Sequence, residues 1–231
     1  MRTRGENQTL LPPGYPHAID QRCLLAYSET GLSHLDSVMP SRPIAVEKRQ
    51  HIIETAYILF KRDGFHATGI DRIIAEAEVA KMTMYRHFPS KDGLIVEVLN
   101  WRTDRFKRQL DRLSETAMTP DEMIMAVFDW HERWFESPDF HGCLFQHALA
   151  EFPERDHAVY LAVMRQKQDL QGRIREIVAQ SMPEGRVPYI AMTLFMLIEG
   201  AMFLAQMGQG KEAIDNARKV AADLLAARRR Q

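Results

Sequence analysis

The chain has 231 residues, 45% of them hydrophobic and 26% charged, an ordinary globular composition with enough apolar material for a sizeable core. Thirty lysines and arginines stand against 31 acids, a formal net charge of −1, so a basic coat for nucleic acid is excluded and any such binding must be local. Two cysteines, Cys23 and Cys143, lie far apart without CxxC or zinc spacing, which argues against a disulfide framework and fits a reducing compartment.

Residues 1–43 carry Pro12, Pro13, Pro16, Pro40 and Pro43 among scattered Gly, Ser and Asn, and hold no helical period. Two readings stand: a flexible or loosely docked N-terminal extension, or a stretch upstream of a true translation start at Met39. From about Val46 onward the pattern is helical. Ile52, Ile53, Ala56, Leu59 and Phe60 recur at helical spacing until Gly64. Ile70, Ile73, Ile74 and Ala77 mark a short second helix, for which Thr68 and Asp71 have capping-box spacing. Residues 79–88 form a third short helix. Pro89 ends it, and Ser90 caps a fourth from about Lys91 past Leu110.

Pro120 opens a fifth helix through Phe135, and residues 143–152 and 155–180 follow as the sixth and seventh. Two apolar helices, residues 189–207 and 211–229, close the chain. No segment alternates like a strand, so the expected fold is all-α. The longest apolar run, residues 191–207, is interrupted by Thr193, Glu199 and Gln206 and reads as too short to span a membrane. The first residues lack the basic start and apolar stretch of a signal peptide. The expectation is a soluble, cytoplasmic protein without a membrane partner.

Three short helices with tight connections make a tri-helical unit, and the second and third are separated by only a few residues around Glu78. That is helix-turn-helix geometry, in which the second helix of the pair enters a DNA major groove. The third helix offers Lys81, Thr83, Tyr85, Arg86 and His87, and no acid occurs between Glu78 and Asp92. Lysine and arginine neutralise phosphates or read guanine edges, and hydroxyls and imidazole bond phosphate oxygens. Lys91 stands in the first turn of the fourth helix, where it opposes the helix dipole but makes a phosphate clamp. Tyr85 has two readings, contact surface or core. Phe65, Ile70, Ile73, Ile74, Val79 and Phe88 read as core.

These residues also carry a resemblance. Gly64-Phe65-His66-Ala67-Thr68, Ile70-Asp71-Arg72-Ile73 and the run from Val79 to Leu94, most specifically Tyr85-Arg86-His87-Phe88-Pro89-Ser90-Lys91-Asp92-Gly93-Leu94, resemble the DNA-binding signature of the TetR family of transcriptional regulators over about residues 47–97. The resemblance implies that Thr68, Tyr85, His87 and Lys91 hold phosphates while Lys81, Met82, Thr83 and Arg86 lie at or near base edges. It implies a helix-turn-helix domain at 44–100 and a helical effector-binding and dimerisation domain at 101–231. It also implies a palindromic operator in double-stranded DNA, a homodimer and a small-molecule effector. The chain departs from the pattern at Glu78 and Met82, where the family commonly has Gly, and at Ala80, where it commonly has Ser.

In the C-terminal part, Leu194, Leu197, Ile198, Ala201 and Leu204 form an apolar face, and Val220 and Leu224 another. Paired with symmetry mates they would make a four-helix bundle; the alternative is burial within their own domain. Trp130, Trp134, Cys143, His147, Phe195 and Glu199 are candidates for an effector pocket, with Glu199 as polar anchor or inter-subunit contact. Cys143, His147 and Glu151 share a helical face at i, i+4 and i+8, a donor set for a metal, yet an organic ligand fits better and no metal or cofactor is expected. No HExxH, nucleophile elbow, phosphate loop or paired-carboxylate motif occurs, so a metal-dependent hydrolase using His131-Glu132 or the Cys143 face is the weaker reading. A helical protein adaptor with a degenerate DNA reader is the other rival.

Overall fold

The computed structural model describes residues 44–115 and 119–227, and among them every regular element is a helix. The first, α1 (Ile44–Asp63), puts Ile52, Ile53, Ala56, Leu59 and Phe60 on its buried face. Gly64 ends it at φ +85°, its N–H donating to Phe60 O at 3.0 Å; glycine occupies that left-handed backbone without a Cβ penalty. Then α2 (Ile70–Glu76) buries Ile73, and α3 (Lys81–His87) buries Met84, with Phe88 fully packed just beyond. The next helix, α4 (Lys91–Ser114), is capped by Ser90, whose Oγ accepts the Gly93 N–H at 3.0 Å. Leu94, Ile95, Val98 and Leu99 pin its first half, and it packs along α1.

A reciprocal capping box starts α5 (Pro120–Phe135): Thr119 Oγ1 accepts the Glu122 N–H and Glu122 Oε2 accepts the Thr119 N–H, with Pro120 at the first helical position. There follow α6 (Leu144–Glu151) and α7 (Ala158–Ala179), the latter capped by His157, whose Nδ1 accepts the Val159 N–H at 3.3 Å. A 3₁₀ turn, Glu184–Arg186, leads into α8 (Val187–Gln206), and α9 (Gly210–Ala226) closes the described chain. Within this part α8 lies against α7 and α9, α9 against α5, and the far half of α4 against α5 and α7. The described helices belong to one unit, Pro43–Gln231, with one continuous apolar core. The expected boundary at residue 100 falls inside α4, which runs through it unbroken.

Three expectations need correction. The Thr68–Asp71 capping box does not form: Gly69 is the N-cap of α2 without a side-chain bond, because the Thr68 hydroxyl donates to Gly64 O at 2.7 Å instead. The third helix begins at Lys81 rather than residue 79. The stretch Glu184–Gln206, with mean hydropathy 1.8, is long and apolar enough to cross a membrane, although the sequence reading found no such run. Its polar residues are too sparse to lower that average, and one side of it is core: Ile190, Leu194, Ile198 and Ala201 are buried in the subunit. The proposed extension at residues 1–43, with Cys23, and the continuation of the last helix to residue 229 lie outside the described residues.

Candidate DNA-reading surface and effector cavity

Two anchors set the pose of α3. Met84 and Phe88 are sunk in the core, so the opposite side, Lys81, Met82, Tyr85 and Arg86, faces outward. Met82 is 83% exposed, an apolar side chain largely open to solvent. Tyr85 is exposed as well, which decides between its two readings in favour of surface. Lys81 leans on Asp71 of α2 at 3.2 Å, an exposed pair that a phosphate can displace at little cost. Thr83 and His87 are half-buried. Burial first, then the nearby Arg86 and Arg49, hold the His87 imidazole below its ordinary value. Its Nε2 is buried without a hydrogen-bond partner among the described residues.

Lys91 sits half-buried at the start of α4 and reaches His66 O at 3.4 Å, so this cation spans the α1–α2 turn and the cap of α4. Thr68 is different. Its side chain is fully buried and its hydroxyl is committed to Gly64 O, so it shapes the turn before α2 and has no surface to offer a phosphate.

The α1–α2 turn is gripped from the C-terminal part by a residue the sequence suggested for another role. Both oxygens of Glu151, at the end of α6, accept backbone N–H groups, from Phe65 at 2.9 Å and His66 at 2.6 Å. His66 Nε2 meets Glu151 O at 2.8 Å, and Phe152 packs on the rings of Phe65 and His66. That carboxylate is thus committed to the turn, and no group of three His, Cys, Asp or Glu side chains placed to hold a metal occurs among the described residues.

A cavity lies between α4, α5, α7 and the start of α6. Trp130, Trp134 and Cys143 line it as expected; His147, Phe195 and Glu199 do not. Glu199 instead accepts from Lys167, a cavity residue, at 2.6 Å, and from Gln146 at 3.1 Å. The lining that sequence reasoning missed includes Arg102, Phe106, His131, Gln166 and Lys167, which come from three helices and share no motif. His131 is wholly buried among aromatic rings, with Trp130 at 4.8 Å. Burial pushes its imidazole down to about 4, against a smaller opposing effect of the Val127 carbonyl, which bonds Nδ1 at 2.8 Å.

Comparison with known proteins bears on both regions. Residues 52–98 match the family described as bacterial regulatory proteins, tetR family, and residues 120–221 match the tetracyclin repressor-like C-terminal domain. The crystal structure of a TetR-family transcriptional regulator from Streptomyces coelicolor superposes with a TM-score of 0.74 at 31% identity, covering 79% of this chain and 96% of that one. The chain belongs to the TetR family. Its curated relatives are transcriptional regulators. The repressor KstR of Mycobacterium tuberculosis is 28% identical over 124 residues, 54% of this chain and 52% of KstR. The uncharacterized regulator YuxN of Bacillus subtilis is 39% identical over 59 residues, 26% of this chain and 20% of YuxN. The chain thus aligns with about half or less of these two proteins.

As a TetR-family chain it has an unusual turn in its reader. Glu78, between α2 and α3, has φ +49°, a left-handed backbone that glycine adopts most readily. Ala80 is the N-cap of α3 and makes no side-chain bond there. The residues expected at a subunit contact divide between core and surface. Leu194, Ile198 and Ala201 are buried in the subunit's own core and cannot line a surface, while Leu197 and Leu224 are partly buried. The exposed stripe of α8 is Tyr189, Met192, Met196, Phe203 and Met207, with Gly200 between; Leu204 and Val220 from the expected set remain exposed beside it.

Proposed function

We propose that the chain is a cytoplasmic, sequence-specific repressor that binds a palindromic operator as a homodimer and is released by a small-molecule effector. The observation that carries the reading is α3: a helix anchored by Met84 and Phe88 that presents Lys81, Met82, Tyr85 and Arg86 on one outward face. Lys81 and Arg86 supply phosphate or guanine contacts, and Met82 suits a thymine methyl. Thr83, His87 and Lys91 flank that face, with Lys91 at a capped helix start. Residues 44–100 serve as the reader and 101–231 as the effector and dimerisation part.

A single reader covers one half-site, and two related by a two-fold axis cover successive major grooves. The α8 stripe supplies the subunit contact: it is apolar and unusually exposed, Phe203 at 59% and Met196 at 57%, and Gly200 permits close helix approach. Release runs through α4, which carries Lys91 at the reader and Arg102 and Phe106 at the cavity. A ligand that binds one setting of α4 better shifts the population of reader spacings. The test is selection from a genomic DNA fragment library at two salt concentrations. The reading expects an enriched two-fold symmetric site, bound less tightly at the higher salt. No enrichment at either salt overturns it.

A further inference from the structure

Among the described residues, only two that are at least nine-tenths buried carry a polar side-chain atom without a hydrogen-bond partner: His131, through Nε2, and Gln166, through Oε1. Both line the same cavity. The Val127 carbonyl can only accept, so the contact at 2.8 Å fixes the proton on Nδ1 of His131 and leaves Nε2 a bare acceptor. The low pKa of the buried ring keeps it so at neutral pH. Buried acceptors left unpaired are costly, and a donor from a ligand would satisfy Nε2 of His131.

Charge narrows the ligand further. Lys61, Arg102 and Lys167 all line the cavity. Lys61 pairs with Asp139 at 2.9 Å and Lys167 with Glu199 at 2.6 Å. Arg102 has no acidic partner among the described residues; its guanidinium lies 5.8 Å from the centre of the Trp134 ring. The remaining walls are largely aromatic, with Phe106, Trp130 and Phe145 beside Trp134.

We propose that this cavity takes a small hydroxylated aromatic acid, its ring among Phe106, Trp130 and Trp134, its hydroxyl donating to Nε2 of His131 and its anionic group facing Arg102. The inference rests on the reading of the cavity as the effector site. The enclosed space is about 30 Å³, room for a water, so a ring enters as the partly exposed Trp134 and Arg102 move outward. Phe106, Gln166 and Leu170 also line a wider groove of about 370 Å³ between α4 and α7, which gives a route in. Moving Arg102 acts on α4, the helix that begins at the reader.

The experiment titrates the full chain with 4-hydroxybenzoate, benzoate and phenol, reading tryptophan emission, since Trp130 and Trp134 line the site. Saturable binding of 4-hydroxybenzoate, about tenfold tighter than of either benzoate or phenol, is expected. His131→Phe should bring 4-hydroxybenzoate and benzoate to equal affinity, and Arg102→Gln should do the same for 4-hydroxybenzoate and phenol. Should His131→Phe fail to fold, the wild-type preference for 4-hydroxybenzoate over benzoate decides the point, and its absence overturns the proposal. Absence of saturable binding at millimolar ligand overturns the proposal, as does a water bridging the two acceptors in a protein that binds none of the three. Equal affinity for 4-hydroxybenzoate and benzoate also overturns it. Operator binding by the same preparation separates the readings. DNA bound without hydroxybenzoate binding sinks this inference alone, and the converse sinks the regulator reading alone.

Discussion

Glu78 holds a left-handed backbone at φ +49° in the turn that sets α3 against α2. A non-glycine residue there carries roughly 1–2 kcal/mol of strain, while glycine adds roughly 0.5–1 kcal/mol of chain entropy to the unfolded state. Glu78→Gly should therefore raise stability by about 0.5 kcal/mol in urea unfolding, and β-branched Glu78→Val should lower it. The glycine variant should also bind DNA more tightly at low salt, because an acid leaves the reader. His131 gives a pH signature of its own. The unfolded chain takes up this proton near 6.5 and the folded chain only near about 4. The neutral ring's contribution is fully present above 6.5 and is lost as pH falls through that window, by up to about 3 kcal/mol. The paired carboxylates of Asp63, Glu122 and Glu132 have lowered pKa values and act below their ordinary range, at more acid pH. Urea midpoints between pH 7.5 and 5 should fall for the wild type and much less for His131→Phe.

Among the elements, α6 has the clearest mechanical role. Its start borders the cavity through Leu144 and Phe145, and its last residue, Glu151, accepts the N–H groups of Phe65 and His66. Glu151→Ala should lower hydrogen-exchange protection at Phe65 and His66 and cost about 1–3 kcal/mol, with Glu151→Gln between it and the wild type. Unchanged protection would show that Glu151 does not hold the turn. These elements also show where sequence is informative. The face of α3 was partly legible: Lys81, Arg86 and the core residue Phe88 sit within eight residues, whereas Tyr85 kept two readings and Met84 was not singled out; the Ser90 cap is equally local. The α8 face was misread because that helix is apolar on nearly all sides, so periodicity cannot tell which side meets its own chain. Thr68 was misread because its side chain turns into the core, where the hydroxyl donates to Gly64 O four residues earlier, and Gly69 takes the N-cap position. The cavity polar groups Arg102, His131 and Gln166 lie on three different helices, and only tertiary packing brings them together.

At the scale of the molecule, the fold separates buried core from an exposed apolar stripe along one helix. Leu194→Ala should cost about 2–5 kcal/mol of stability without changing the particle mass. Phe203→Glu together with Met196→Glu should instead convert a dimer to a monomer in light scattering and weaken operator binding. The reverse pattern would return the interface to Leu194, Ile198 and Ala201. The central claim is that α3 reads DNA, and its most direct test is salt-dependent binding of the selected site by wild type and by a Lys81→Ala, Tyr85→Ala double variant. The variant should lose affinity at least about tenfold, with a salt slope shallower by about one charge per removed lysine. Equal affinity and an unchanged slope would contradict it.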